Sequence, residues 1–368
     1  MKRGFEKKGI LVKTAVLAAS IFIAMFMLAG CGKSQEKKLK VVTTVYPAYD
    51  WTKQVLGDKA KDAEVIYLLD NGVDMHSYQP SSKDIAKISD CDVFIYSGGE
   101  SETWASKALK EAKNKNMKVV NMMSLVDTSL ISEDDESGIQ DPGEEEDHEP
   151  GETCDCGGKD DKCDCKDCAC DNCKKNEKEN DKDSGVKIYE EYDEHVWMSL
   201  RNAQKITTGI YEALAAADKD NAATYKKNAE SYNKKLADLD KKYADAANAS
   251  KDKFMVVPDR FPMAYLLKDY NIDYLAAFRG CSAESEASFS TVAALARKAD
   301  ELNKKYLLVT ETSDKKLAKA VSENTASKDK KIVVFDVMHS VNKKDIKDGK
   351  EYLKVMQKNL DAFTKAIG

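Results

Sequence analysis

The sequence predicts an α/β protein made of two (β/α)4-like lobes. Each lobe holds a four-stranded, mostly parallel sheet, and one long rigid helix joins them. Three observations predict this. Short apolar strand signals alternate with helical patterns in the first half, at 39–45, 65–69, 92–96 and 118–123, with helical stretches at 82–88 and 104–113. The alternation returns later, with strand signals at 254–257, 274–278, 306–309 and 332–335 and helical stretches at 263–270, 289–302 and 314–323, before a closing amphipathic helix at 348–366. Short apolar strands separated by helices belong in a parallel sheet covered on both faces. Between the two series, Tyr225, Ala229, Tyr232, Leu236, Leu239, Tyr243 and Ala246 form a single apolar stripe at helical spacing, with no Pro or Gly from 220 to 247. At about 1.5 Å per residue such a helix spans roughly 40 Å and acts as a strut.

The chain has 368 residues, enough for two ordinary domains. Its beginning reads as a targeting segment. Lys2, Arg3, Lys7, Lys8 and Lys13 make a basic head, and an apolar run then closes on Leu28-Ala29-Gly30-Cys31. The run is a little short of the roughly 20 residues of a spanning helix, so 1–30 is expected to be a signal peptide. Leu-Ala-Gly-Cys resembles the bacterial lipobox, which makes Cys31 the lipidated residue and 31–37 a polar tether. The protein is then expected on the extracytoplasmic face of the cell membrane, held by its lipid. A net charge of −6 and the lack of a basic stripe argue against a nucleic-acid partner. The first lobe is expected over 38–218, the linking helix over 219–247 and the second lobe over 248–368.

An insert at 131–186 interrupts the first lobe. It opens with the acidic runs Glu133 to Glu136 and Glu144 to Glu149, and ends in Lys, Asn, Glu and Asp. So few apolar side chains cannot offset the entropy of ordering, and disorder in the metal-free state is expected. Seven of the ten cysteines crowd into it, at Cys154, Cys156, Cys163, Cys165, Cys168, Cys170 and Cys173. Alternating C-x-C and C-x-x-C spacings let neighbouring sulfurs reach one ion, as in metallothionein-like tracts. Soft thiolates select Zn, Cu(I) or Cd over Mn and Mg. A disulfide-bonded or merely solvated linker is the alternative, although an odd number cannot pair completely.

Only four histidines occur, His76, His148, His195 and His339. His76 follows the strand signal ending near 69, where open α/β sheets bind their ligands. His195 lies where an acidic segment enters a helix. Here the chain resembles the zinc- and manganese-binding lipoproteins of bacterial ABC importers. The resemblance rests on Val42-Thr43-Thr44-Val45-Tyr46-Pro47, on Gly72-Val73-Asp74-Met75-His76-Ser77-Tyr78-Gln79-Pro80, and on Asp193-Glu194-His195-Val196-Trp197 with Asn202-Ala203. It continues through Gly280-Cys281-Ser282-Ala283-Glu284-Ser285-Glu286-Ala287-Ser288 to Glu351-Tyr352-Leu353 with Asn359-Leu360, in the right order over nearly the whole mature chain.

The resemblance implies one metal ion in a cleft between the lobes, held by His76 and His195 from the first lobe and Glu311 from the second. The chain departs from the family where the family has a further His, near the end of the second lobe's first strand. Arg260 falls close to that position and has no lone pair to offer. Asp259 is the nearest substitute, His339 a second candidate and a water a third. In the related proteins a His- and acid-rich loop often stands where the cysteine tract stands here. The tract favours zinc as the bound ion, with manganese as the alternative.

The function these readings point to is a substrate-binding lipoprotein, a monomer, that collects a divalent metal and hands it to an ABC permease and its ATPase. A metal-buffering or adhesive surface lipoprotein is the alternative. No Ser/His/Asp set, phosphate loop or His-Glu-x-x-His motif suggests an enzyme.

Overall fold

The apolar runs of the first half become β1 (Lys40–Thr43), β2 (Glu64–Tyr67), β3 (Val93–Tyr96) and β4 (Lys118–Asn121). They form one parallel sheet in the order β2-β1-β3-β4. All four residues of β3 are buried, as a continuous apolar run in a doubly covered sheet requires. The order reverses direction between β1 and β3, so the loops leaving their C-terminal ends border a natural crevice. The computed structural model describes residues 38–132, 187–278, 280 and 287–368. The expected signal segment, Cys31, the tether, Cys281 and the cysteine tract lie outside the described residues. So does the insert, except that Ile131 is buried and Ser132 bridges to Tyr192.

In the second half, β5 (Phe254–Val257) pairs in parallel with β6 (Asp273–Ala276), and β7 (Tyr306–Thr310) with β8 (Lys331–Phe335). β5 runs beside β7, so the spatial order repeats that of the first half, but the expected four-stranded sheet is two hydrogen-bonded pairs. A side chain bridges the seam. Asp259, just past β5, accepts hydrogen bonds from Thr310 N at 2.7 Å and Thr310 Oγ1 at 2.8 Å.

Helix α1 (Tyr46–Leu56), which the apolar pattern did not reveal, follows β1. Helices α2 (Ser82–Asp90) and α3 (Trp104–Lys110) complete the first series, and α4 (Leu200–Ala217) leads into the strut. The strut is α5 (Ala222–Ala249), entered through a 3-10 turn at Lys219–Asn221. Its buried stripe is the expected one, except that it ends on Ala247 in place of Ala246, because the last step is four residues and not three. Its first half rests on the first lobe, with Asn228 Nδ2 donating to Val55 O at 3.0 Å and Asn233 Nδ2 to Gln204 O at 3.2 Å. Its second half rests on the last helix, α10 (Tyr352–Ile367), with Tyr243 Oη donating to Met356 O at 2.8 Å. Helices α6 (Ala264–Asp269), α7 (Phe289–Glu301), α8 (Lys316–Glu323) and α9 (Lys343–Lys347) complete the second series.

The two halves share one apolar core. Trp51, Trp197, Tyr265, Phe335 and Tyr352 belong to the same buried cluster. Polar ties cross it: Tyr352 N donates to Asp50 Oδ2 at 3.1 Å, Tyr352 Oη to Trp197 O at 2.6 Å and Tyr265 Oη to Asp193 O at 2.6 Å. A wide hinge opening would break these buried bonds together. Among the described residues, no helix is long and apolar enough to cross a membrane.

Candidate metal centre

His76 sits in a single 3-10 turn, Met75–Ser77, that follows β2. Asp74 caps the turn, its carboxylate accepting from His76 N at 3.0 Å, and buried Met75 anchors it from below. His195 stands at the start of another short turn, Val196–Met198, where Asp193 Oδ1 accepts from His195 N at 2.9 Å. The acidic dipeptide before His195 therefore has a structural purpose. Asp193 Oδ1 is also 2.5 Å from His195 Nδ1, while Glu194 Oε1 is 3.1 Å from His76 Nδ1. Ser101 Oγ completes the set, 3.0 Å from His76 Nδ1 and donating to Glu194 Oε1.

The carboxylates fix the two imidazoles chemically. With each Nδ1 facing an acid, each Nε2 is left to point inward, and the two Nε2 atoms are 3.2 Å apart. Two nitrogens each about 2.0–2.1 Å from a tetrahedral metal would be about 3.3–3.4 Å apart. The spacing fits a shared cation. The loop after β3 makes room for Glu194: a Cβ on Gly99 would come within 2.4 Å of Glu194 Cβ. Gly98, at φ +101°, adopts a turn that few other residues tolerate.

His339 reaches the same point from the second half. One ring nitrogen of each of His76, His195 and His339 lies within 4.8 Å of the others. The His339 ring centroid is 4.8 Å from that of His195 and 5.4 Å from that of His76. His339 is buried, and its Nε2 has no hydrogen-bond partner. Burial first, then the neighbouring His195, His76 and Arg260, hold His339 well below the usual imidazole range. It is therefore neutral at physiological pH, the form that ligates a metal.

Glu311 lies behind His339. Its Oε1 accepts from His339 N at 3.1 Å and its Oε2 from Val337 N at 2.9 Å. The carboxylate thus pins a loop in which Met338 has φ +64°, a left-handed conformation that is strained for a side chain of this size. Burial, with Asp336 adding repulsion, pushes Glu311 up to about 7. Trp197 Nε1 donates to Val337 O at 3.1 Å and secures the loop from the other side.

Of the expected residues, the structure gathers His76, His195 and His339 at one point. Glu311 is not part of that trio, and Asp259 is engaged with Thr310 at the seam between β5 and β7. Arg260 lies at the rim, 3.8 Å from Asp74. Sequence reading missed the roles of Asp193, Glu194 and Ser101. The adjacent acids in Asp193-Glu194-His195 were the available signal; nothing marked Ser101.

The surroundings favour a cation. Burial alone would push Glu194 up, but the His76 and Ser101 hydrogen bonds and the imidazoles hold it below the usual carboxylate range. Glu102, buried behind it, is pushed up to about 7 by burial.

The chain is 31% identical to the zinc-binding lipoprotein AdcA of Streptococcus pneumoniae, over 95% of this chain and 60% of that protein. It therefore spans about 60% of the length of the first curated relatives it matches. It is 30% identical to the high-affinity zinc uptake system protein ZnuA of Bacillus subtilis, covering 94% of this chain and 96% of that protein. Among solved structures, it resembles the Zn(II)-bound ZnuA-like domain of S. pneumoniae AdcA, at 29% identity and a TM-score of 0.63, over 90% of this chain and 99% of that one. It also resembles the metal-dependent lipoprotein YcdH of B. subtilis, at 28% identity and a TM-score of 0.65, with the same coverage. The family profile of the periplasmic zinc-uptake complex component A matches residues 41–366, and the chain belongs to that family, ZnuA.

Proposed function

We propose that this protein captures one divalent zinc ion through His76, His195 and His339 and delivers it to the permease of an ABC importer. The convergence of three ring nitrogens within 4.8 Å, two of them backed by carboxylates, carries the reading. Three imidazoles suit borderline zinc better than manganese, which prefers oxygen donors. His339 takes the place of the imidazole that the family pattern puts near Arg260. Glu311 serves first to position the His339 loop; Glu311 itself or a water supplies the fourth ligand. The relatives named as zinc-binding or zinc-uptake proteins support the choice of metal.

The zinc-uptake family and the relatives named as lipoproteins support an extracytoplasmic location with a lipid on Cys31. The segment boundaries 1–30, 31–37, 38–218, 219–247 and 248–368 belong to the same reading. In it the cysteine tract of the 131–186 insert gathers metal and raises its local concentration at the cleft. Because buried bonds tie the halves together, loading and release proceed through local loop shifts.

The test is metal stoichiometry with competition titration on the full chain, its His76→Ala/His195→Ala double variant and an insert-deleted variant. One tight zinc site absent from the double variant and retained without the insert supports the proposal. Unchanged tight binding in the double variant overturns it.

A further inference from the structure

One groove lies away from the metal centre. It has a volume of about 730 Å³ and runs beside β4, the outer strand of the first sheet, against α4. Lys110, Lys115, Lys118 and Lys187 line it, with Glu212 as the one acid. Its walls include Val119 at 46% and Leu125 at 38% exposure, two of the five large apolar side chains exposed among the described residues. A basic trough with an apolar floor suits an acidic, partly apolar polypeptide better than a small molecule.

We infer that the acidic run at 133–149 of this same chain docks in the β4-edge lysine groove. Three observations support this occupant over others. The first is position. The described chain breaks off at Ser132, which bridges to Tyr192, and resumes at Lys187, a residue of the groove whose carbonyl accepts from Asn121 Nδ2 at 2.7 Å. The run is therefore part of the same chain as the groove, so docking is intramolecular and needs no second molecule. The second is charge. Residues 133–149 contain ten Asp and Glu and no Lys or Arg, against four lysines and one acid in the groove. The third is the apolar match, since Ile139 stands in the middle of the acidic run and Val119 and Leu125 stand among the lysines.

One wall residue links the groove to a loop of the metal centre. Asn121, on its wall, packs against Gly98, whose loop carries Ser101 and meets Glu194. Docking would therefore hold the start of the insert on the cleft side of the first sheet. The inference does not depend on which residues ligate the metal.

Zero-length carbodiimide cross-linking of the full chain, followed by peptide mass spectrometry, tests it. The expected result is intramolecular links from Lys110, Lys115, Lys118 or Lys187 to acids of 133–149, weakened by high salt. Lys115→Glu with Lys118→Glu should lower their yield by at least about fivefold, as expected when exposed ion pairs become repulsive. Unchanged zinc stoichiometry and circular dichroism would show that this variant still folds. Three results would overturn the inference. The first is no such links. The second is links only between differently labelled copies. The third is lysine-dependent binding of the groove to phosphatidylcholine–phosphatidylglycerol vesicles with the acidic run unlinked.

Discussion

Replacing His339 with alanine separates the geometry of this site from the pattern of its family. In the metal-free protein the substitution has two opposing effects. It removes a buried Nε2 that has no partner, relieving a penalty of about 1–3 kcal/mol. It also leaves a cavity that costs a similar amount, about 2–3 kcal/mol, so metal-free stability should change little. In zinc the balance differs. Losing even an outer partner of a metal ligand weakens binding about 10–100-fold, so losing a ligand should weaken it by about 100-fold or more. At a zinc concentration about 1,000 times the wild-type Kd, metal contributes about 4.1 kcal/mol to stability, falling to about 1.4 kcal/mol for a site 100-fold weaker. For a chain of this size that difference lowers the Tm in zinc by about 4 °C. Calorimetry with and without zinc, alongside chelator competition, would measure both quantities. Glu311→Gln is the control. Gln has a single carbonyl oxygen for the Val337 and His339 amides, so affinity should fall by about tenfold. A zinc-induced Tm shift equal to wild type in His339→Ala, or a larger loss in Glu311→Gln, would refute the assignment of His339.

Three further predictions concern the frame around the site. Asp193→Asn removes the charge facing His195 Nδ1 and should weaken zinc binding about 10–100-fold without unfolding the protein; competition titration reads it. Asp50 is buried where α1, the strut and the last helix meet. Burial pushes it up to about 6 despite hydrogen bonds from Tyr352 N and Gln54. Its folded value lies above the unfolded one near 3.9, so the stability it contributes is complete below about pH 4 and lost as pH rises through about 6. Wild type should therefore lose about 2–3 kcal/mol relative to Asp50→Asn between pH 4 and 7 in urea unfolding, and parallel curves would contradict this. Tyr352→Phe deletes the buried bond to Trp197 O and should destabilise the protein by about 1–2 kcal/mol in the same assay.

Much of the fold was legible because it rests on periodicity. Every strand of both series falls within two residues of its apolar run, and Phe254–Val257 coincides with it. The strut was legible because nothing but a helix keeps seven apolar residues at three- and four-residue steps. Helix α1 was not. Tyr46-Pro47-Ala48-Tyr49-Asp50-Trp51-Thr52 buries aromatic, polar and small side chains together, so no polar face marks it. The division of the second sheet depends on how β5 and β7 face each other, and composition does not encode that. His76 and His195 stood out because His76 follows a strand signal, His195 sits where an acidic segment enters a helix, and both lie in stretches that resemble the family's pattern. His339 was legible only as one of the candidates for the missing ligand; the folded chain shows that it, and not Asp259, joins the two imidazoles, and that Glu311 and Trp197 hold its loop. Ser101 was invisible because no motif marks it and only the folded chain sets its hydroxyl between His76 and Glu194.

The three histidines are not held alike, and the difference has a measurable consequence. His195 shares one carboxylate oxygen between its backbone amide and its ring, at 2.9 Å and 2.5 Å, so backbone and ligand are set by one rigid group. His339 has an anchored backbone but a ring nitrogen without a partner, and it follows Met338 in a left-handed conformation worth about 1–2 kcal/mol of strain. A third ligand bond to His339 ties the strained loop to the two fixed imidazoles, whereas His195 gains less because it is already constrained. Zinc should therefore slow amide hydrogen exchange more at Val337 and His339 than at His195. Exchange measured by NMR on the metal-free and zinc-loaded chain decides this. Equal protection at the three amides would mean that the 336–339 loop is as rigid before loading as after, and that release must begin elsewhere in the cleft.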